Sequence, residues 1–396
     1  LVDVTPVVAF VTHHFVRTDG QGKINVEAVR YLAESGWRVE LVCERVDTDL
    51  LRYPDVRWHR VPSSRLPTTW LKQRIFARRA AATVAQLRRK NKNIVVVGNG
   101  SCISAPTDLN IAMFVHAAWW KSPHHPRHAR PNGKSRVWRW YQTLASLDNK
   151  REERRAFQQA KVVIALADSV RNELIEQVGV PSDRIVVVNP GVDSNLFTVS
   201  DAAARSQFRA SIGTSDECLV ALFAGDIRTT RKNLELVLKA LRQLPEPVEL
   251  WVAGSTAGSP YPQYAADLGV GKRVRWLGHR TEMQTVMGAA DIFLFPSHYE
   301  PFGLVVLEAL SAGLPVVVTR QTGSSDAVSG LAGVVLQDSG DLPTLIASVK
   351  TWVECPQLLS AAKAAAREAG VSRSWDEMGK RYSELILGYA NSHGTS

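Results

Sequence analysis

Two carboxylates eight residues apart, Glu300 and Glu308, stand where an apolar run gives way to a helical pattern. Ile292 to Phe295 reads as a buried strand, and Pro296 and Ser297 end it. From Gly303 the spacing of Leu304, Leu307 and Leu310 becomes helical. Gly313 stops that helix before a second apolar run, Val316 to Val318. Glu300 therefore falls in the loop past a strand's C-terminal end, the edge where open α/β sheets bind ligands. Glu308 follows about two turns into the helix. An acid near a helix start also has a plain structural use against the helix dipole, and the pair alone does not choose between the two. Three basic residues supply the opposite charge. Arg228, Arg231 and Lys232 sit in GDIRTTRKN, between an expected strand, Leu219 to Ala224, and an expected helix, Leu234 to Leu244. Cations at a helix entrance oppose its dipole unless an anion lies between them, so their placement points to a bound phosphate in preference to a chance basic cluster.

The first half of the chain holds quieter candidates. His116 directly follows an expected strand, Ile111 to Val115, where an imidazole either meets a ligand or is a satisfied core group. Between a strand at Val7 to Val11 and a helix at Asn25 to Glu34 lies THHFVRTDGQGKIN, with Gly20 and Gly22. This is not the dinucleotide GxGxxG pattern, because Asn25 stands where its third glycine would be. The glycines either let backbone approach a ligand, with Lys23 beside an anion, or make a tight turn. Two metal readings are rejected. Asp47 and Asp49 begin a polar surface segment behind the charged Glu44 and Arg45. His124, His125 and His128 come without an acidic or cysteine ligand. Cys43, Cys102, Cys218 and Cys355 are scattered with no CxxC spacing, which argues against a disulfide framework or zinc site and fits a reducing compartment.

Positioning these residues takes two series of short apolar strands separated by helix-length segments. The first is Val7 to Val11, Val39 to Cys43, Val56 to Val61, Ile94 to Val97, Ile111 to Val115, Val162 to Leu166 and Ile185 to Val188. The second is Leu219 to Ala224, Val248 to Ala253, Val274 to Leu277, Ile292 to Phe295, Pro315 to Val318 and Val334 to Leu336. Each series reads as a doubly wound parallel sheet, so the fold class is α/β with two Rossmann-like domains. Asn189-Pro190-Gly191 breaks the pattern. The expected domains are 1–195 and 196–373, with 374–396 a helix whose Trp375, Met378, Tyr382 and Leu385 pack back on the first domain. A length of 396 residues accommodates two domains, and 45% hydrophobic against 22% charged residues excludes a disordered chain. No apolar run approaches the ~18 residues of a spanning helix. The chain is expected to enter its first strand almost at once, without a basic leader.

Charge is unevenly spread. Residues 1–190 hold 30 Lys and Arg against 17 Asp and Glu, while residues 191–396 hold 18 against 21. The first half therefore expects an anionic partner or surface. From Arg65 to Lys92 there are nine basic residues and no acid, with Trp70, Leu71, Ile75, Phe76, Val84 and Leu87 lending an amphipathic helical cast. From Lys121 to Arg139 come six more, flanked by Trp119, Trp120, Trp138 and Trp140. Such a surface suits an anionic membrane, nucleic-acid backbone with stacked bases, or a solvated face over a tryptophan-filled edge. A nucleic-acid partner is set aside because it leaves Glu300, Glu308 and the Arg231–Lys232 helix entrance without a use.

Together these residues resemble the retaining glycosyltransferases of family 4, whose GT-B architecture is two Rossmann-like domains facing across a cleft. The strongest part is Ser297-x-x-Glu300-Pro301-Phe302-Gly303 followed by Glu308-Ala309, Gly313 and Pro315-Val316, the family's Glu-x7-Glu signature. Asn189-Pro190-Gly191-Val192-Asp193 with Phe197, and Arg275-Trp276-Leu277-Gly278, look like its linker and third-strand motifs. The resemblance spans nearly the whole chain. It implies an enzyme that moves a hexose from a nucleotide-diphosphate sugar to a hydroxyl of a saccharide or lipid-linked acceptor. Retention of anomeric configuration is implied, with no cofactor and no divalent metal.

Carried over residue by residue, Glu308 binds the ribose hydroxyls, Glu300 the donor sugar and Lys232 the diphosphate. The family's Gly-Arg-Leu lead is replaced by Gly225-Asp226-Ile227, so the assisting arginine is Arg231 or Arg228, with Arg231 preferred. Phe302, Gly303 and Leu304 join the donor-binding set. Gly22 corresponds to the glycine loop under the phosphates, and His116 to a histidine beside the reacting sugar and acceptor. Thr322-Gly323-Ser324-Ser325 supplies backbone donors near sugar or phosphate. The implied catalytic set is His116, Glu300, Arg231 and Lys232. A sugar-nucleotide hydrolase or epimerase of the same fold shares the donor residues and stays open as the alternative. The charge asymmetry suggests lipid-linked saccharide or envelope polysaccharide synthesis at the cytoplasmic membrane face. Nothing in the sequence fixes the donor base or the oligomeric state.

Overall fold

Nearly continuous apolar runs such as VVAFV and LVALFA form parallel strands buried on both faces, because helices cover both sides of each sheet. The computed structural model describes residues 7–63, 68–125, 127–128 and 136–393, so Arg65, Arg130 and Lys134 of the basic stretches lie outside the described residues. The chain divides into two compact units, Leu1–Pro190 with Trp375–Ser396, and Gly191–Ser374.

In the first unit, β1 (Val7–Val11), β2 (Arg38–Cys43), β3 (Val56–Arg60), β4 (Val95–Asn99), β5 (Leu109–Ala112), β6 (Val162–Ala165) and β7 (Ile185–Val187) form a sheet of order β3-β2-β1-β4-β5-β6-β7. Every pairing is parallel, with Val8 beside Val39 on one side and Val95 on the other. Two expected boundaries move. Helix α1 (Gly20–Glu34) starts five residues before Asn25, because the Asp19 side chain caps it by accepting from the Gly22 N–H at 2.7 Å. Strand β5 starts two residues before Ile111 and stops at Ala112. Asp108 fixes its start by accepting from the Val96 N–H at 2.8 Å, and Val115 already caps the short helix α3 (His116–Lys121). A parallel two-residue pair, His14–Phe15 with Arg45–Val46, was not expected.

Helix α2 (Thr69–Lys90) turns Phe76, Ala80, Val84 and Leu87 onto Val11, Val42 and Val96. Helix α4 (Arg136–Gln159) carries Asp148, whose carboxylate accepts from Trp70 Nε1 and, at 2.7 Å, from Arg74 Nε. The last labelled helix, α7 (Trp375–His393), packs on α1 within this unit. Its buried face is Trp375, Met378, Tyr382 and Ile386, so Ile386 takes the place expected for Leu385.

In the second unit, β8 (Leu219–Ala224), β9 (Val248–Ala253), β10 (Val274–Gly278), β11 (Ile292–Phe295), β12 (Val316–Thr319) and β13 (Gly333–Leu336) form a parallel sheet of order β10-β9-β8-β11-β12-β13. The boundary falls at 190/191 rather than at 195/196, because residues 191–197 are tied to this unit. Val192 bridges Ser374, buried Phe197 accepts from Ser311 Oγ at 2.8 Å, and Arg367 donates to both Phe197 and Ser194. At the strands' N-terminal edge Asp291 gathers Arg205, Arg209 and Lys363 and accepts from the Val220 N–H at 2.9 Å. Burial works against this carboxylate, but the three cations outweigh it and hold its pKa down at about 2.

Candidate functional site

Strand order reverses between β8 and β11, and a doubly wound sheet opens a crevice at its C-terminal edge at that reversal. The loop after β8 carries Arg228, Arg231 and Lys232, and the loop after β11 carries Glu300. Arg231 and Lys232 end the single turn, Thr230–Lys232, that leads into α5 (Leu234–Leu241), which is three residues shorter than the expected helix. Glu300 Oε2 contacts Lys232 Nζ and lies 3.4 Å from Arg231 Nη1, which also donates to the Tyr299 carbonyl at 3.1 Å. The Lys232 and Glu300 side chains are each 13% exposed. The ammonium also lies 4.8 Å from the centroid of the Phe295 ring. Burial, with Arg231 nearby, pushes the Lys232 pKa well below the ordinary lysine value, while the carboxylate of Asp226 works the other way.

Arg228 stands apart. Its guanidinium is 59% exposed and forks onto Asp226, at 2.8 Å and 3.1 Å, so Arg231 is the arginine that joins Lys232 and Glu300. The sequence reading missed two residues that fix this geometry. Asn233 is the one described non-glycine residue at positive φ (59°), and its side chain donates to the Pro296 and Ser339 carbonyls. Asparagine tolerates that conformation, and its place directly before an apolar helix was the available signal. His298 joins the same loops, donating its N–H to the Arg231 carbonyl at 2.9 Å and meeting Ser339 Oγ through Nδ1 at 2.7 Å.

Gly303 takes φ +89 as the chain turns from the Glu300 loop into α6 (Leu304–Ser311), a conformation that needs glycine there. Glu308 is the fifth residue of α6, just over one turn in rather than two, and is half-buried in a helix otherwise almost wholly buried. Phe302 and Leu304 are buried, so their side chains serve the core and only their backbone can face a ligand. The expected backbone donors of 322–325 are otherwise engaged. Thr322 N–H goes to Thr319, Gly323 to Glu300, Ser324 to Phe302 and Ser325 to Thr322. That segment braces the Glu300 loop instead of presenting donors.

The first sheet reverses between β1 and β4, and a cavity of about 130 Å³ lies there. Among its lining residues are His13, Gln21, Gln73, Asn99, His116 and Asn149. His116 opens α3, and Glu153 of α4 holds it twice, accepting from its backbone N–H at 2.7 Å and meeting Nδ1 at 2.9 Å. A carboxylate at Nδ1 makes that the protonated nitrogen of the neutral ring and leaves Nε2 basic. Glu153 is 4% exposed and lies 37 residues from His116, so no local spacing announced it. Burial and neighbouring His14 lower the His13 pKa to about 4, keeping that imidazole neutral near pH 7. Gly22 lies inside α1 rather than in a loop, and its N–H is committed to Asp19. A Cβ there would sit 2.1 Å from the Val16 carbonyl oxygen, so close packing is what requires the glycine.

The basic-aromatic stretches also resolve. Phe76, Val84 and Leu87 of α2 belong to the core and Trp70, Leu71 and Ile75 are half-buried, leaving Arg78, Arg79, Arg89 and Lys90 exposed. Trp119 and Trp120 pack around buried His125, whose pKa burial and Arg127 lower to about 4. Among the described residues no three His, Cys, Asp or Glu are placed to hold a metal ion.

Set beside known proteins, the chain matches two family models. The one described as Glycosyltransferase Family 4 covers residues 18–196, and the one described as Glycosyl transferases group 1 covers residues 204–369. The D-inositol 3-phosphate glycosyltransferase of Xylanimonas cellulosilytica is 35% identical over 239 residues, 54% of this chain and 54% of that protein. Its namesake from Geodermatophilus obscurus is 31% identical over 261 residues, 62% of this chain and 54% of that protein. The chain thus spans about half the length of the curated relatives it matches. Among solved structures, WaaG, a glycosyltransferase involved in lipopolysaccharide biosynthesis, aligns with TM-score 0.75 at 21% identity, over 96% of this chain and 100% of that one. Anabaena Alr3699/HepE in complex with UDP-glucose aligns with TM-score 0.69 at 18% identity, over 97% and 100%. Both share the fold.

Proposed function

This chain belongs to the glycosyltransferases of family 4, with their GT-B pair of Rossmann-like domains, and from that premise we propose that it transfers a hexose from a nucleotide-diphosphate sugar to an acceptor hydroxyl with retention of configuration. The observation that carries the reading is the grouping of Arg231, Lys232 and Glu300 at the strand reversal of the second sheet. Cleavage of a sugar–diphosphate bond leaves negative charge on the phosphates. Two cations fixed before the reaction stabilise that charge without reorganising, which lowers the barrier and needs no divalent ion. Glu300 takes the donor sugar's hydroxyls, and Glu308 on α6 takes the ribose.

Glu300 is a poor candidate for a covalent nucleophile, since its Oε2 is engaged by Lys232 and Arg231. The acceptor hydroxyl instead attacks on the face the diphosphate leaves, and a phosphate oxygen takes its proton. His116, held through Nδ1 by Glu153, orients the acceptor with Nε2. UDP and UDP-glucose, found in the Anabaena structures, are the first donors to assay. Inositol phosphate, from the names of the relatives, joins free and lipid-linked saccharides as first acceptors. The setting proposed is the cytoplasmic face of a membrane, in lipid-linked saccharide or envelope polysaccharide synthesis. No helix among the described residues is long and apolar enough to cross a membrane. The test is a panel of sugar nucleotides scored for protection against unfolding, followed by acceptor trials on the best donor. Product carrying the donor sugar with its anomeric configuration kept supports the reading. Free sugar or isomerised nucleotide, equal with and without acceptor, assigns the site to a hydrolase or epimerase.

A further inference from the structure

Helix α4 is built inside out. A helix on a globular domain ordinarily turns its apolar stripe to the core and its charges to water. Over the first three turns of α4 the described side chains that are exposed are Val137, Trp140, Leu144 and Leu147, at steps of three, four and three that keep them on one face. Val137 is 75% exposed and Trp140 68%. Of the carboxylates, Glu153 lies on the opposite face against His116, while Asp148 and Glu152 flank the stripe with their charge taken up by Trp70 and Arg74. Past Leu147 the outward surface becomes basic, with Arg151, Arg154 and Arg155 exposed.

We propose that the outward face of α4 docks the protein onto an anionic lipid bilayer, with Val137, Trp140, Leu144 and Leu147 entering the interface and Arg151 and Arg155 meeting lipid headgroups. The combination of an apolar stripe, an interfacial tryptophan and flanking arginines is what such a surface binds. Charge selects this occupant over a second copy of the chain. Residues 1–190 carry thirteen more basic than acidic residues, and a symmetric pairing through α4 would bring two such surfaces together. An anionic membrane gains from the same charge, including exposed Arg78, Arg79, Arg89 and Lys90 of α2, which packs against α4 through Arg74. Docking by the outer face leaves the pocket-lining Asn149 and Glu153 of the opposite face untouched. The proposal deepens the membrane setting given above and does not depend on the donor chemistry.

Flotation of the full chain tests it, using phosphatidylcholine vesicles and phosphatidylcholine–phosphatidylglycerol vesicles at modest salt. The wild type is expected to float with the anionic vesicles only. W140Q/L144Q and R151Q/R155Q change exposed side chains, so both are expected to keep the wild-type melting temperature and nucleotide protection while losing about tenfold or more in partitioning. Wild type that stays at the bottom with anionic vesicles overturns the proposal, as does W140Q/L144Q floating like wild type. A wild-type dimer that W140Q/L144Q dissociates reassigns the stripe to a second copy and also overturns it. Nucleotide protection, read on the same samples, separates any of these failures from failure of the transferase reading.

Discussion

Replacing Lys232 with Met and Glu300 with Gln, singly and together, probes the candidate donor site most directly. The two side chains touch, are each 13% exposed, and share Arg231 as a second cation 3.4 Å from the same oxygen. Breaking a fully buried pair from one side costs about 3–5 kcal/mol, because the remaining charge has no partner. With Arg231 still beside Glu300, Lys232→Met is expected to destabilise by less, about 2 kcal/mol. Glu300→Gln leaves two cations facing a neutral amide and is expected to cost at least as much. The double variant removes one charge of each sign, so its loss of stability should fall short of the sum of the single losses by at least about 1 kcal/mol.

Function should divide differently between the same variants. Lys232→Met removes a cation from the leaving diphosphate, and loss of one such donor costs about 3–4 kcal/mol, or about 10²–10³ in kcat/KM. Affinity for the free nucleoside diphosphate should fall with it. Glu300→Gln frees Lys232 from its carboxylate, so nucleotide affinity should hold or rise while turnover falls for want of a sugar contact. Urea unfolding, titration calorimetry with the free nucleotide and initial-rate kinetics read the three quantities. A folded Lys232→Met variant that turns over near the wild-type rate refutes the diphosphate role. Strict additivity of the stability losses refutes the pairing.

Glu308→Ala should weaken free-nucleotide binding by about tenfold to a hundredfold, the worth of a hydrogen bond to a charged group, and unchanged calorimetric affinity would remove the ribose role. Glu153→Gln keeps the shape but loses the charge that holds His116 Nδ1, so transfer should slow while nucleotide affinity stays at the wild-type value; parallel losses in both would make Glu153 merely structural. Asp291 has a folded pKa near 2, below its ordinary value, so its contribution is complete above about pH 4 and is lost as pH falls through about 2. That contribution is on the order of 2 kcal/mol, and urea unfolding followed from pH 5 downwards should show the acid limb steepen there. Treatment with EDTA should leave turnover intact if Arg231 and Lys232 alone carry the diphosphate charge, and loss of activity restored by a divalent ion would contradict this.

The elements that the sequence displayed best were those buried on both faces. Ile292–Phe295 and Leu219–Ala224 have the expected bounds, because a strand covered on both sides is apolar throughout, and Val248–Ala253 keeps its expected bounds with a single polar residue, Glu249. Boundaries set by a single side chain were harder to read. The Asp19 cap pulled α1 back over Gly20 and Gly22, which looked like a loop. The Glu300–Lys232–Arg231 grouping was legible because each lies just past a strand end, where topology alone brings such loops together. Glu153 was not, since its partner is 37 residues away on another helix and nothing in its own spacing marks it. Arg209, wholly buried and paired with Asp291, reads from sequence as an ordinary surface arginine of an amphipathic helix.

The two strand reversals of this chain are furnished for different chemistry, and the contrast corrects what the net charge suggested. The second unit is slightly acidic overall, yet its reversal concentrates Arg231 and Lys232 beside Glu300, where the proposed reaction would leave its negative charge. The first unit is strongly basic, yet its pocket holds mostly neutral groups: Gln21, Gln73, Asn99 and Asn149, with a His13 that burial keeps uncharged. The cation in that lining, Arg74, is spent on Asp148 and Glu152. Carboxamides donate and accept at once, which suits hydroxyl groups better than phosphates. The excess positive charge of the first unit lies instead on outward surfaces, at Arg78, Arg79, Arg89 and Lys90 of α2 and at Arg151 and Arg155 of α4. Net charge therefore reports where the first unit meets its surroundings, and the local side-chain inventory reports what its pocket takes. The two must be argued separately, because a charge on a helix's outer face is screened by water from a pocket lined by its inner one.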